Sequence, residues 1–294
     1  MKPLYANALL LLTAAVWGLA FVAQRVGMDY IGPFTFNALR FGLGGAALWG
    51  LIRLRGAGKL PAVESAAPAS TPAGWRRWGL LLGAVLFGGA SLQQAGLVYT
   101  TAGKAGFITG LYVVLVPLVS AWLGTRHGRN VWLGALLALA GLYLLSVTGA
   151  WRMAWGDFLV FLSALFWTAH VLLVDRLVAR FDSLRLAALQ FGTVAVLSAA
   201  VAVWREPLSA AGVRAALWAI LYGGLLSVGV GYTLQLVAQQ YAQPAAAAII
   251  LSLEAVFALL GGVLLLSEPL TARSALGCTL MLMGMLISQR MVSA

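Results

Sequence analysis

Apolar residues along this chain do not alternate with polar ones; they run on in long blocks separated by short polar or charged stretches. A helix rising ~1.5 Å per residue needs about 20 such residues to cross the ~30 Å hydrocarbon core of a bilayer. Ten segments of that kind can be drawn, at about 5–25, 34–55, 77–99, 104–124, 131–149, 156–177, 184–204, 214–238, 244–267 and 272–290. Continuous blocks exclude a β-barrel, whose strands alternate. The first block follows Met1-Lys2 as a signal peptide would. It is long for one and holds Trp17, Phe21 and Gln24 deep inside, so it is read as a retained helix. The stretch around 56–75, rich in Gly, Ala, Pro and Ser, is the one substantial linker.

The pattern also repeats. AAVWGLAFVAQR at 14–25 resembles SALFWTAHVLLVDR at 163–176, which sets Trp17 opposite Trp167. ALRFG at 38–42 resembles ALQFG at 188–192, with Arg40 opposite Gln190. Gln93 and Tyr99 correspond to Gln235 and Tyr241, and Gly134 and Gly141 to Gly277 and Gly284. The unit holds five helices, an odd number, so its second copy enters the membrane inverted. The predicted fold class is therefore an all-α polytopic membrane protein of ten transmembrane helices, with one five-helix repeat at 1–150 and an inverted second at 151–294. Inverted repeats are the architecture of secondary transporters, whose site lies near the midplane between the copies.

Composition sharpens this picture. Of 294 residues 62% are hydrophobic and 9% charged, and most of the 34 glycines sit inside apolar runs as in closely packed membrane helices. The formal net charge of +11 is explained by Lys and Arg in loops facing anionic lipid rather than by nucleic acid. The basic residues favour the side that holds the N-terminus by about two to one, which predicts that both termini are cytoplasmic. The single Cys278 excludes a disulfide framework.

Glu254 is the sharpest chemical feature. It falls about 15 Å into the segment opened by Pro244, near mid-membrane, where a charge costs at least ~2.5–3.5 kcal/mol. Two readings stand: a partner for a substrate ammonium or a proton, or a carboxyl that locks helices together. Arg40 lies about two turns into its helix and either binds a substrate carboxylate or packs against backbone carbonyls while reaching the interface. His170, near the middle of the sixth segment, is a cavity hydrogen-bonder or proton carrier, or a satisfied packing residue. Trp17, Trp167 and Tyr112 fall at mid-depth rather than in the interfacial belts, which suits a cavity for an amphipathic or aromatic molecule. Gln93 and Gln94 are adjacent, so at most one lines a pore; Gln93 is placed there, with Tyr99. Asn37, Thr109, Ser163, Ser227 and Ser252 are minor contacts, unless they bond their own helices. The four repeat-related glycines predict close backbone packing of the fifth and tenth helices, off the pathway.

Trp17-Gly18, Pro33 with Arg40, AGFITGLYVVLVPL at 105–118, and the ninth-helix run ending Glu268-Pro269-Leu270-Thr271 together resemble the drug/metabolite transporter superfamily, of the EamA type, over nearly the whole chain. Within it the chain is most similar to bacterial amino-acid exporters of the YddG type. That resemblance implies export of aromatic and other neutral amino acids by a secondary carrier; relatives carry drugs, nucleotide-sugars or purines. Many relatives have Pro directly after the glutamate. Here Ala255 follows, so the kink the resemblance implies lacks its proline.

An intramembrane lipid-modifying enzyme would need a nucleophile, acid/base or metal constellation, and no HExxH, Ser–His–Asp set or carboxylate cluster is legible. No GxxxxGK[ST] appears either, so nothing points to a P-loop ATPase. The expectation is a non-enzymatic carrier without cofactor or metal. Its partners are a small-molecule substrate and the lipid bilayer, and a monomer suffices because two repeats supply both halves.

Overall fold

A computed structural model of the chain describes residues 3–56, 74–100, 102–146, 154–266 and 271–289. Most of the 56–75 linker, and Glu268, Pro269 and Leu270 of the ninth-segment motif, lie outside these residues. Among the described residues every regular element is helical. In hydrocarbon each backbone N–H and C=O must find a partner inside its own segment, which long apolar blocks can do only as helices. The helices are α1 (Pro3–Gly27), α2 (Pro33–Gly56), α3 (Trp75–Gly96), α4 (Ala102–Gly110), α5 (Tyr112–Trp122), α6 (Arg129–Ser146), α7 (Trp155–Val178) and α8 (Ser183–Arg205). After these come the short α9 (Ala210–Ala215) and α10 (Leu217–Leu221), a π-helix over Tyr222–Tyr232, α11 (Thr233–Gln239), α12 (Pro244–Leu251), α13 (Glu254–Leu266) and α14 (Ala272–Gln289).

Six stretches are long and apolar enough to span a membrane, and three shorter apolar helices accompany them. This is a multi-pass helical membrane protein. The six do not by themselves make the predicted ten. The stretch Pro33–Gly56, which buries Arg40 and carries Arg53 and Arg55 at its end, is not among them.

Two of the predicted segments are broken near their middles. At Leu111 the ladder tightens to i→i−3 bonds, Leu111 N–H to Ile108 O (3.2 Å) and Val114 N–H to Leu111 O (3.0 Å). At Ser252 and Leu253 it does so again, with Leu253 N–H to Ile250 O (3.1 Å), Ala255 N–H to Ser252 O (3.2 Å) and Val256 N–H to Leu253 O (2.9 Å). The interruption at Glu254 thus needs no proline, which removes the difficulty posed by Ala255. A third segment departs from α geometry without breaking. Tyr222–Tyr232 winds as a π-helix held against α1 by side chains: Trp17 Nε1 donates to Ser227 O (3.1 Å) and Tyr222 Oη to Val16 O (2.9 Å). Such wide turns collect at functional sites.

Apolar contact gives little drive to helix association in lipid, so close approach and interhelical hydrogen bonds carry it. The seam between α6 and α14 is built that way. A Cβ on Gly134 would stand 2.7 Å from Gly284 O, and one on Gly141 2.5 Å from Gly277 O. Among the described residues neither helix contributes to the central cavity. On another seam, Glu206 at the end of α8 accepts from the Phe34 and Thr35 N–H groups (both 2.8 Å) and from Thr35 Oγ1 (2.7 Å). A carboxylate from one helix therefore caps the N-terminus of α2. Glu206→Ala should lower stability by about 1–2 kcal/mol, the cost of a lost cap. Reversible unfolding in detergent would read that loss, and an unchanged midpoint would mean that water caps α2 equally well.

Candidate functional site

The two helix breaks meet. Tyr112 is the first residue of α5 and Glu254 the first of α13, and the Tyr112 hydroxyl donates to Glu254 Oε1 at 3.3 Å. That is long for an O–H···O bond. Among the described residues it is the one hydrogen bond to the carboxyl. Glu254 is only 4% exposed, yet it opens a half-helix, where the positive end of the helix dipole favours an anion.

Around this pair lies a cavity with about 500 Å³ of empty space, the part open to solvent included. One wall carries Trp17, Phe21 and Gln24 from α1, and another Trp167, His170 and Val171 from α7. Arg40, Gln93, Thr109 and Leu251 project from other helices, and Ser227, Tyr232 and Gln235 come from the π-helix and α11. Seven of the eight residues singled out in the sequence therefore share one cavity: Trp17, Arg40, Gln93, Tyr112, Trp167, His170 and Glu254. Tyr99 does not. It stands in the turn after α3, 63% exposed, because its segment ends before it reaches the core.

Arg40 is 2% exposed, so it does not reach the interface, and among the described residues no backbone carbonyl accepts a hydrogen bond from it. Its Nε donates to Asn37 Oδ1 (2.9 Å), and Asn37 in turn donates to Ala90 O (3.2 Å). The guanidinium lies 4.9 Å from the Phe41 ring centroid and 5.5 Å from that of Phe36. Among the described residues no carboxylate pairs with it; the recorded ion pair is Arg25–Asp29, at the exposed end of α1. Gln190, at the repeat-related position of α8, is neutral and bonds His170 Nε2 (2.9 Å).

The aromatic wall is organised on Tyr232. Its ring centroid is 4.6 Å from that of Trp17 and 6.1 Å from Trp167, nearly parallel to the latter. Phe41, Phe191 and His170 close around it at 5.9–6.1 Å. Trp167 is aimed by Gln93, whose Oε1 accepts from Trp167 Nε1 (2.8 Å) and Thr109 Oγ1 (3.4 Å). Gln94 points elsewhere, donating to Gln24 O (3.2 Å). Ser163 and Ser252 bond carbonyls of their own helices and Asn37 serves Arg40, whereas Thr109 and Ser227 line the cavity.

Sequence reasoning missed Tyr232 and gave no role to Phe21, Gln24 or Leu251. A signal for Tyr232 existed. It is a polar aromatic in mid-segment, three residues before Gln235, which the repeat had already marked.

A bundle of apolar helices enclosing an amphipathic chamber at helix breaks defines the class of multi-pass membrane transport proteins. Residues 4–147 and 154–289 match the EamA-like transporter family, and the chain belongs to that family. An uncharacterized transporter of Archaeoglobus fulgidus is 34% identical over 291 residues, which cover 98% of this chain and 86% of that one. A second from the same organism is 24% identical, covering 96% and 97% of the two chains. A crystal structure 22% identical in sequence aligns over 99% of both chains with a TM-score of 0.78, a likeness of fold.

Proposed function

We propose that this transporter is a secondary carrier that exports small zwitterionic metabolites, aromatic and other neutral amino acids foremost, by alternating access. The observation that carries the reading is a buried cation and a buried carboxyl, Arg40 and Glu254, which line one aromatic-walled cavity without pairing with each other. Unpaired buried charges are costly, and a ligand bearing one carboxylate and one ammonium offsets both at once. Arg40 takes the carboxylate through its free guanidinium edge, Glu254 the ammonium, and Trp17, Trp167 and Tyr232 the side chain.

The wider arrangement follows the same reading. Ten spans form two inverted five-helix units, 1–150 and 151–294, in a bacterial inner membrane with both termini cytoplasmic. Support comes from the two family-matched stretches, from the bias of Lys and Arg, and from helix breaks in the fourth and ninth segments, which correspond in the repeat. One chain supplies both halves and works as a monomer.

The test is counterflow of radiolabelled phenylalanine into proteoliposomes preloaded with unlabelled amino acids. Native protein should accumulate label. Glu254→Gln should raise KM at least about ten-fold, because it removes a charge-assisted contact worth ~1.5–3 kcal/mol. Absence of counterflow with every amino acid, in folded protein, would overturn the cargo and leave the carrier fold.

A further inference from the structure

Two cavity residues play no part in holding the charged ends of such a cargo. His170 and Gln235 both line the chamber, both are 1% exposed, and each keeps one polar atom without a partner among the described residues, Nδ1 of His170 and Oε1 of Gln235. With His170 Nε2 donating to Gln190 Oε1 at 2.9 Å, Nδ1 carries the lone pair, so both orphan atoms are acceptors. They stand on helices that pack against each other, α7 and α11. Gln239 Nε2, one turn beyond Gln235, donates to Val171 O at 3.2 Å and fastens α11 to α7 beside His170. The Tyr232 ring, three residues before Gln235, lies 6.1 Å from that of His170 and from that of Trp167. The chamber lining therefore includes two residues with an unsatisfied acceptor, one on each of these helices.

Resting on the amino-acid reading above, we propose that His170 and Gln235 form a hydrogen-bonding subsite for the cargo side chain, which selects aromatic amino acids whose ring carries an O–H or N–H donor. The physical reason is an asymmetry of buried polar groups. A ring hydroxyl or indole N–H satisfies an acceptor that the plain phenyl ring leaves bare. Sites built to bond a hydroxyl reject the analogue that lacks it far more strongly than an apolar pocket rejects an extra methylene. Trp167 and Tyr232 hold the ring, and the two acceptors read its edge.

Counterflow of labelled tyrosine, tryptophan and phenylalanine into proteoliposomes tests this, comparing native protein with Gln235→Leu. In the native protein the kcat/KM for tyrosine and tryptophan should exceed that for phenylalanine at least about ten-fold. In Gln235→Leu the ratio should fall towards one, through loss of the tyrosine and tryptophan values. Equal native values for the three would overturn the subsite while leaving the amino-acid reading intact, and this arm needs no variant to fold. A Gln235→Leu protein that kept the native ratio would also overturn it. Exchange of none of the three would overturn the cargo reading itself, and the subsite with it.

Discussion

Arg40→Met should abolish most amino-acid exchange while leaving the protein folded. Truncating one partner of a buried charge-assisted contact costs about 2–5 kcal/mol, so kcat/KM for phenylalanine should fall at least about thirty-fold. Stability should move the other way, or not at all. In the unloaded protein Arg40 contributes one hydrogen bond to Asn37 and two aromatic contacts against the full desolvation of a cation, and no described carboxylate compensates it. Methionine fills the slot between Phe36 and Phe41 without that penalty. Counterflow and a detergent melt on the same preparation separate the two roles. Exchange lost with an undiminished melting temperature assigns Arg40 to the cargo; exchange and melting temperature lost together would make it a packing residue.

Gly141→Ala is the second change expected to act strongly, and it acts far from the cavity. The added methyl carbon would lie 2.5 Å from Gly277 O and 2.6 Å from Met281 Cγ. A backbone oxygen inside a helix cannot swing aside, so α6 and α14 must part, at a cost of about 1–3 kcal/mol for overpacking. Close packing is the main attraction between helices in lipid, so little replaces what is lost. Gly192→Ala is the matched control, because nothing lies within 4 Å of the carbon it adds. Unfolding midpoints in detergent should drop for the first and hold for the second. Similar midpoints would show that the α6–α14 seam relaxes freely.

The same contrast explains how much could be read before the structure. Length and continuity of the apolar blocks determined that the chain is a multi-pass helical membrane protein, because hydrocarbon admits no other fold for such blocks. Glu254, Arg40 and His170 announced themselves for the converse reason: a titratable group at mid-membrane must be accounted for. Close packing at Gly134, Gly141, Gly277 and Gly284 was legible too, because small residues repeat in step on the two helices; that Gly134 faces Gly284 and Gly141 faces Gly277 came only from the structure.

What only the tertiary structure decided is which groups face one another. Tyr99 has the same residue type as Tyr112, yet it ends in a surface turn while Tyr112 reaches Glu254 across the chamber. The sequence already set Tyr99 at the last position of its segment; that Tyr112 faces Glu254 depends on the depth and rotation of its helix. The break at Ser252 and Leu253 escaped a reading that looked for proline, because its tightened turn lies in the ladder beside the cavity rather than in a missing N–H. Tyr232 became the centre of the aromatic wall only when the π-helix turned it between Trp17 and Trp167, a contact between segments more than sixty residues apart. The sequence by itself determined the environment each segment must occupy and the charges that environment would have to absorb. Packing alone decided the company those charges keep, because it depends on helix rotation and depth, which hydrophobicity does not encode.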